Sequence, residues 1–392
     1  MYRPSTITTS FLSSNQSVSL DYDYRASNYY ESLTTISWGE DYRSLGYEFN
    51  VSDILPASEF GDYFWLYLSW DNSGRRSGWT ESYGGLVSQF TYDEADRLTN
   101  AEYIDNAGTE QFSAAWDYSP AGLMTTMTDA DGSHVYSYDN AGRLVTATHP
   151  TQDNPAENYS YDAAGNRLLA GHETDFVYNA VNQLISDNKY SYIYDSSGNL
   201  TSKTDRSTQQ TTSYTYDAEN RLVSVLLPDG ATVTYSYDPL GRRVEKQVNS
   251  TINRYIFNDN EELAEFDGAG RLLRSYVNRL ELDKPDGLQD YSDPSGYVMP
   301  YHYYTDPLGT VLAIGDASVS NNGDVLSSYR YQAYGKPVST TSSVSNSRMF
   351  HGREYDSDTG LYYMRNRFYD PESGRFLQRD PVPVIAAITP YI

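Results

Sequence analysis

Between residues 68 and 243 apolar side chains recur two apart, and each pair is followed by a polar turn at fixed offsets. The stretch Tyr235-Ser-Tyr-Asp-Pro-Leu-Gly-Arg-Arg243 shows the pattern in full. Tyr235 and Tyr237 point to one side of a strand, because strand side chains alternate with period two. Asp238 opens a turn, its carboxylate accepting from backbone amides just downstream. Pro239 is pre-set for the second position of a type I turn, and Gly241 suits the positive φ with which the chain re-enters a strand. The pattern predicts strand, tight turn, strand. Copies stand at Leu68–Arg76, Phe90–Leu98, Trp116–Met124, Tyr136–Leu144, Tyr159–Arg167, Phe176–Leu184, Tyr192–Leu200 and Tyr214–Leu222, with faint ones at Leu20–Asp23 and Ile36–Trp38.

Three copies lack the glycine and carry Asp96, Asn182 or Asn220 in its place. Asn and Asp are the non-glycine residues that best tolerate the left-handed region, so these substitutions mark a backbone requirement and not a catalytic one. The second aromatic of successive copies (Tyr118, Tyr138, Tyr161, Tyr178, Tyr194, Tyr216, Tyr237) advances by 16 to 23 residues. A second kind of turn lies between copies, at Asn106–Gly108, Asp131-Gly132 and Pro228–Gly230, flanked by β-prone residues. Two alternating turns per repeat predict an antiparallel ribbon of hairpins, one long meander coiling on itself. A parallel β-helix would show one coil length, and a propeller a steadier four-strand period. No helix of useful length is expected.

Composition sharpens this picture. Hydrophobic residues make up 39% of the 392, but 40 tyrosines supply much of the capacity to bury surface, each ring carrying a polar tip. With 21% charged residues and many aromatics, the chain is not of disordered type. The net charge of −25 excludes broad contact with nucleic acid or other polyanions, which needs clustered Lys and Arg. Many arginines recur at one place in the repeat, which makes them structural. Without cysteine there is no disulfide framework or thiolate metal site. The apolar runs 63–70 and 382–388 are too short to span a membrane, and the first residues lack the pattern of a signal peptide.

The repeated Y-x-Y-D-x-x-G-[R/N]-L resembles the YD repeats of the Rhs family, which includes bacterial polymorphic toxins, the C component of insecticidal ABC toxin complexes and the teneurins. From about residue 250 the motifs Arg254–Phe266, Gly270–Val277, Tyr303–Val311, Tyr329–Gly335 and Phe350–Phe376, closing on Leu377-Gln-Arg-Asp-Pro381, resemble the Rhs-associated core domain. The resemblance divides the chain into degenerate repeats (1–89), YD repeats (90–249), the core domain (250–381) and the truncated start of a post-core segment (382–392). It implies an all-β fold, a long coiled β-strip of antiparallel hairpins forming a partial hollow shell or barrel that the core domain closes.

Candidate chemistry is sparse. The resemblance places Asp380 where the family's first processing aspartate lies, and implies aspartyl-type self-cleavage after the core domain. Such a mechanism needs two carboxylates close enough to share a proton. The second, in a further Asp-Pro-x-Gly, is absent from this sequence, and Asp380 also reads as a plain turn-opening Asp-Pro. The five histidines (134, 149, 172, 302, 351) are scattered, none in metal-ligand spacing with another, and read as ordinary sheet or turn residues. Asp129–Gly132 and Asp356–Gly360 faintly resemble Ca²⁺ loops but lack the distal Glu, and turn chemistry explains both. No cofactor is expected.

Two functions remain open. In the first the chain is a scaffold, the C-terminal part of a shell that encloses and processes a toxin or effector carried in cis beyond residue 392, with secretion-system or toxin-complex components as further partners. In the second it is a secreted or cell-surface adhesion protein whose Tyr-rich faces stack on carbohydrate. A trimmed remnant, cut at both ends, is the bland third reading.

Overall fold

A computed structural model of the protein describes residues 66–380, apart from 83–84, 172, 280–282 and 319–322, and before residue 66 the backbone of strands alone. Those early strands include Ser17–Arg25 and Tyr30–Trp38, which take in the two faint copies; their side chains lie outside the described residues, as do His172 and the segment 381–392. Apart from one 3₁₀ turn at Phe350–Gly352, every regular element among the described residues is a β-strand.

The chain forms two compact units, each drawn from separate stretches. The first takes residues 1–116, 254–328 and 341–344, the second 117–253, 329–340 and 345–392. Within each unit strands pair antiparallel with their neighbours in sequence, as in Trp65–Trp70 with Arg76–Glu81 and Thr232–Tyr237 with Arg243–Val248. The strand order stays linear and does not return on itself, so the barrel form of the expectation is not realised among the described residues. Hairpins with sequential pairing leave an open meander, because closure requires the last strand to reach the first.

The repeat turn has the expected geometry. In Asp238–Arg242 the Gly241 amide donates to the Asp238 carbonyl at 2.9 Å, and the Asp238 amide donates to the Arg242 carbonyl at 2.9 Å, a type I turn closed by a bulge. Asp238 Oδ1 accepts from the amides of Leu240 and Arg242, both at 2.9 Å. Gly241 has φ +82°, and the replacements Asp96, Asn182 and Asn220 have φ +62°, +62° and +61°. The left-handed requirement read from those substitutions is met.

The recurrent arginine closes the same turn from the side. Arg75, Arg97, Arg143, Arg221 and Arg242 each donate Nε to the Oδ2 of the Asp four residues earlier at 2.7 Å. Asn166 and Asn199 stand in for arginine and reach the same atom at 2.9 Å. The guanidinium carbons of Arg143 and Arg221 also lie 4.7 and 5.0 Å from the ring centres of Tyr161 and Tyr237 in the following copy. Those second tyrosines reach backward: Tyr138, Tyr161, Tyr216 and Tyr237 donate their hydroxyls to the carbonyls of Met124, Leu144, Leu200 and Leu222 at 2.6–2.8 Å. One copy is thereby tied to the next by side chains as well as by the ladder.

Repeat strands alternate buried and exposed positions, as in Val87–Tyr92 and Thr232–Tyr237. In the first unit the strands Glu261–Asp267, Met299–Thr305 and Val311–Asp316 are instead buried along nearly their whole length, so both of their faces are covered. Around them Trp79 stacks on His302, Tyr103 and Phe112 pack on Tyr304, and the buried Arg76–Asp286 pair closes at 2.5 Å.

Candidate functional site: the C-terminal strands and Asp380

In the second unit four short strands, Glu354–Asp356, Leu361–Met364, Arg367–Asp370 and Arg375–Phe376, pair in sequence into a small antiparallel sheet. This sheet seats on the repeats. Leu361, Tyr363, Phe368 and Leu377 share one buried core with Leu184, Tyr192, Leu200, Tyr214, Leu222, Val225, Val233 and Tyr235. Tyr192, Tyr214 and Tyr235 are the first aromatics of successive copies, Leu184, Leu200 and Leu222 the Leu that ends each turn, and Val225 and Val233 lie within the strands Leu222–Leu226 and Thr232–Tyr237, so the repeat's alternation supplies an apolar surface at regular intervals. Beyond it, the Leu200 amide donates to the Leu377 carbonyl at 2.9 Å, and Gln378 Oε1 accepts from the Phe368 amide at 3.0 Å.

Around this core the charges are matched. Arg243, fully buried, pairs with Glu354, and its guanidinium lies 4.7 Å from the Tyr363 ring centre. Lys246 Nζ lies 2.6 Å from Asp356 Oδ1 and 2.7 Å from Asp358 Oδ2, while the Tyr235 hydroxyl donates to Asp356 Oδ2 at 2.6 Å. Lys203 Nζ bridges Asp370 at 2.8 Å and Glu372 at 3.0 Å, and Lys189 Nζ reaches Glu372 at 2.5 Å. Lys336 adds a longer contact to Glu372 at 3.6 Å. Four of the chain's five lysines therefore converge on four carboxylates of one small sheet.

Electrostatics follow from this geometry. Burial opposes charge on Asp356 and on Glu372, but Lys246 beside the first and Lys203 and Lys189 beside the second hold both carboxyls below their ordinary values. Burial likewise disfavours charge on Lys203, and Asp370 with Glu372 more than offset it, raising the ammonium well above its usual range. A buried pair of this kind gains little over an apolar replacement, yet leaves a costly unpaired charge when one partner is removed.

Asp380 follows directly on this anchored segment. Its Oδ2 lies 3.1 Å from Arg367 Nη2, and Arg367 also covers the Phe376 ring at 3.6 Å. Asp380 is 28% exposed in its side chain. Asp356, read from sequence as a turn residue, does accept the Asp358 amide at 3.0 Å, but its carboxylate mainly serves Lys246 and Tyr235. At Asp129–Gly132 the Asp131 amide donates to Asp129 Oδ1 at 2.9 Å, a plain turn contact.

Two of the histidines are not scattered. His134 and His149 face each other through their Nδ1 atoms at 2.8 Å, and His149 Nε2 lies 3.1 Å from Glu157 Oε1. Sequence spacing hides this pair because a hairpin register, and not a helical or loop interval, brings residues 15 apart together. The lysine convergence was hidden for a related reason. Lysine scarcity was visible, but the partners of Lys189, Lys203 and Lys246 lie 110 to 183 residues away in sequence.

A meander of tyrosine-bearing hairpins, with a small C-terminal sheet seated on its apolar face through one core and a set of ion pairs, defines a YD-repeat shell protein. The family model for the Teneurin YD-shell matches residues 121–386, and the chain belongs to that family. It is 30% identical over 383 residues to the tRNA3(Ser)-specific nuclease WapA of Bacillus spizizenii, covering 90% of this chain and 15% of the relative. It is also 30% identical over 364 residues to the double-stranded DNA deaminase toxin A of Burkholderia cenocepacia, covering 82% of this chain and 24% of the relative. Among solved structures, TcdB2-TccC3-TEV shares its fold at a TM-score of 0.58 and 17% identity, over 96% of this chain and 22% of that one. The chain thus spans less than a quarter of the length of each of these relatives.

Proposed function

We propose that this chain is the C-terminal part of a shell scaffold that encloses and presents a toxin or effector domain carried in cis after the core segment. The observation that carries this reading is the seating of the 354–376 strands on the repeats through one core and matched charges, directly before Asp380. Such an anchor holds the exit of the chain in a fixed place. That the chain matches a small share of relatives named as a nuclease and a deaminase toxin supports assigning catalysis to regions outside it.

On this reading the segments 90–249 and 250–381 are wall and closing core, and the protein works outside the cell or at its surface, alongside secretion-system or toxin-complex components. Asp380 takes part in self-cleavage after the core domain when a second carboxylate from downstream meets it, and the segment 382–392 is the start of that downstream region. Carbohydrate adhesion is the weaker reading. Tyr67 and Tyr297 are the tyrosines more than half exposed among the described residues, so the repeat's rings are spent on packing and not offered for stacking.

The test uses the gene product extended through its natural downstream sequence. The reading expects the downstream domain to resist protease while the shell is intact, and a released fragment in the parent that disappears in Asp380→Asn. A downstream domain fully open to protease would refute encapsulation. An extended protein that never cleaves, with Asp380→Asn changing nothing, would refute the processing role alone.

A further inference from the structure

We propose that the strip of hairpins carries a built-in opening seam between the strands Arg167–Ala170 and Val177–Tyr178, and that the C-terminal turn Pro371–Gly374 is the strap that holds it shut. The inference concerns the strip itself and does not depend on a cargo. All the residues involved lie within the second unit.

From Met124 to Val248 successive strands share a backbone ladder, with one exception among the described residues. Arg167–Ala170 pairs with Glu157–Tyr161 before it, and Val177–Tyr178 with Leu184–Ser186 after it, but the two do not pair with each other. What joins them directly is a pair of side-chain ties. The Tyr178 hydroxyl donates to the Arg167 carbonyl at 2.9 Å, and Asn166 Nδ2 donates to Asn182 Oδ1 at 2.9 Å. The same two contacts accompany an intact ladder where Tyr216 reaches Leu200 and Asn199 reaches Asn220. At the 167–178 joint they stand without the backbone bonds.

The turn Pro371–Gly374, between the strands Arg367–Asp370 and Arg375–Phe376, takes hold of both banks. On the first bank Arg167 donates Nη1 to the Ser373 carbonyl at 3.1 Å and Nη2 to the Gly374 carbonyl at 3.3 Å. On the second, Arg375 donates Nη2 to the Asn182 carbonyl at 2.8 Å and its guanidinium lies 5.4 Å from the Tyr178 ring centre. Lys189 and Lys203 hold Glu372 on the same side. A further route to the first bank also passes Arg167. Its guanidinium lies 3.6 Å from the ring centre of Tyr334, whose carbonyl accepts from the Tyr369 hydroxyl at 2.9 Å and whose own hydroxyl meets that of Tyr161 at 2.7 Å. Gly374 is what lets the strap seat: its φ is +63°, and a Cβ there would stand 2.1 Å from Arg167 Nη1.

The joint is also incompletely filled. A cleft open to solvent lies beside the strap, lined by Arg167, Ala170, Glu173, Pro371 and Glu372 among others, and Glu173 Oε2 is buried there without a hydrogen-bond partner. Opening hydrates that carboxylate and the buried Arg167 guanidinium, which offsets part of the bonds lost. No ladder bond has to break, so the joint belongs to the low-stability end of the strip. Each charge-assisted hydrogen bond of the strap is worth roughly a factor of ten or more in the opening equilibrium. The strap rides on the strands that lead to Asp380, and displacement of those strands therefore frees both banks together.

The test is distance measurement between spin labels on the full chain, which has no cysteine of its own. Labels at Val135→Cys and Ile193→Cys, both exposed positions, span the joint, while labels at Ile193→Cys and Leu226→Cys lie on one bank. Arg167→Met removes the strap's bonds to the first bank. It should raise the population of longer distances across the joint about tenfold over wild type and leave the one-bank distances unchanged. Wild-type distances across the joint in folded Arg167→Met would overturn the strap. If that variant shifts the one-bank pair as well, Gly374→Ala is read in its place by the same criteria. If both do, wild type in rising urea decides: the pair across the joint must lengthen at lower urea than the one-bank pair, and coincident loss overturns the seam.

Discussion

Removal of one partner from the Arg243–Glu354 pair tests whether the C-terminal sheet is held by matched charge. Arg243 is fully buried and Glu354 nearly so, and the guanidinium lies between the Tyr235 and Tyr363 rings at 5.6 and 4.7 Å. Glu354→Leu removes the paired carboxylate from a fully buried guanidinium packed against aromatic rings, a change that costs about 3–5 kcal/mol. Opening of the sheet then becomes easier by at least about 10²-fold. Exchange of the Leu377 amide, which donates to the Phe368 carbonyl inside the docked segment, reads that opening directly. The double variant Arg243→Met with Glu354→Leu should recover most of the lost protection, since apolar replacement of a buried pair is near neutral. A tenfold or smaller effect of Glu354→Leu, or a double variant no better than the single, would show that apolar packing alone holds the sheet.

Two further outcomes follow from the repeat turn. Asn220→Ala should destabilise by about 1–2 kcal/mol, because alanine is strained in the left-handed region, while Asn220→Gly should fold at least as well apart from the lost contact with Asn199; thermal melts that rank Ala with Gly would contradict the turn assignment. Acid should weaken the repeats collectively. Hydrogen bonds from Arg97 and Arg143 hold Asp93 and Asp139 below the ordinary value, and the Ser207 hydroxyl does so most for Asp205, at about 2. Depressed folded values mean that this stabilisation is complete above the unfolded value of ~3.9 and is lost as pH falls from there toward ~2. Melting temperatures that stay flat down to pH ~2 would contradict it.

Sequence alone determined the repeating unit, and it did so through local physics. The Tyr-x-Tyr spacing sets which face is buried, the Asp and Gly set the turn, and the Asn and Asp replacements reveal a backbone angle, all within about ten residues. The alternation of Arg and Asn after the glycine was visible as a motif, and the fold supplied its reason: both reach the Asp carboxylate. What tertiary structure decided is everything that depends on which distant hairpins face each other. Lys203, Lys246 and Arg243 look like other basic residues of the repeat until Asp370, Asp356 and Glu354 arrive from more than a hundred residues away. His134 and His149 look scattered until a hairpin register places their rings in contact. Such pairings carry no local signal, because a charge or an imidazole on a strand fits any partner that the long-range register presents to it.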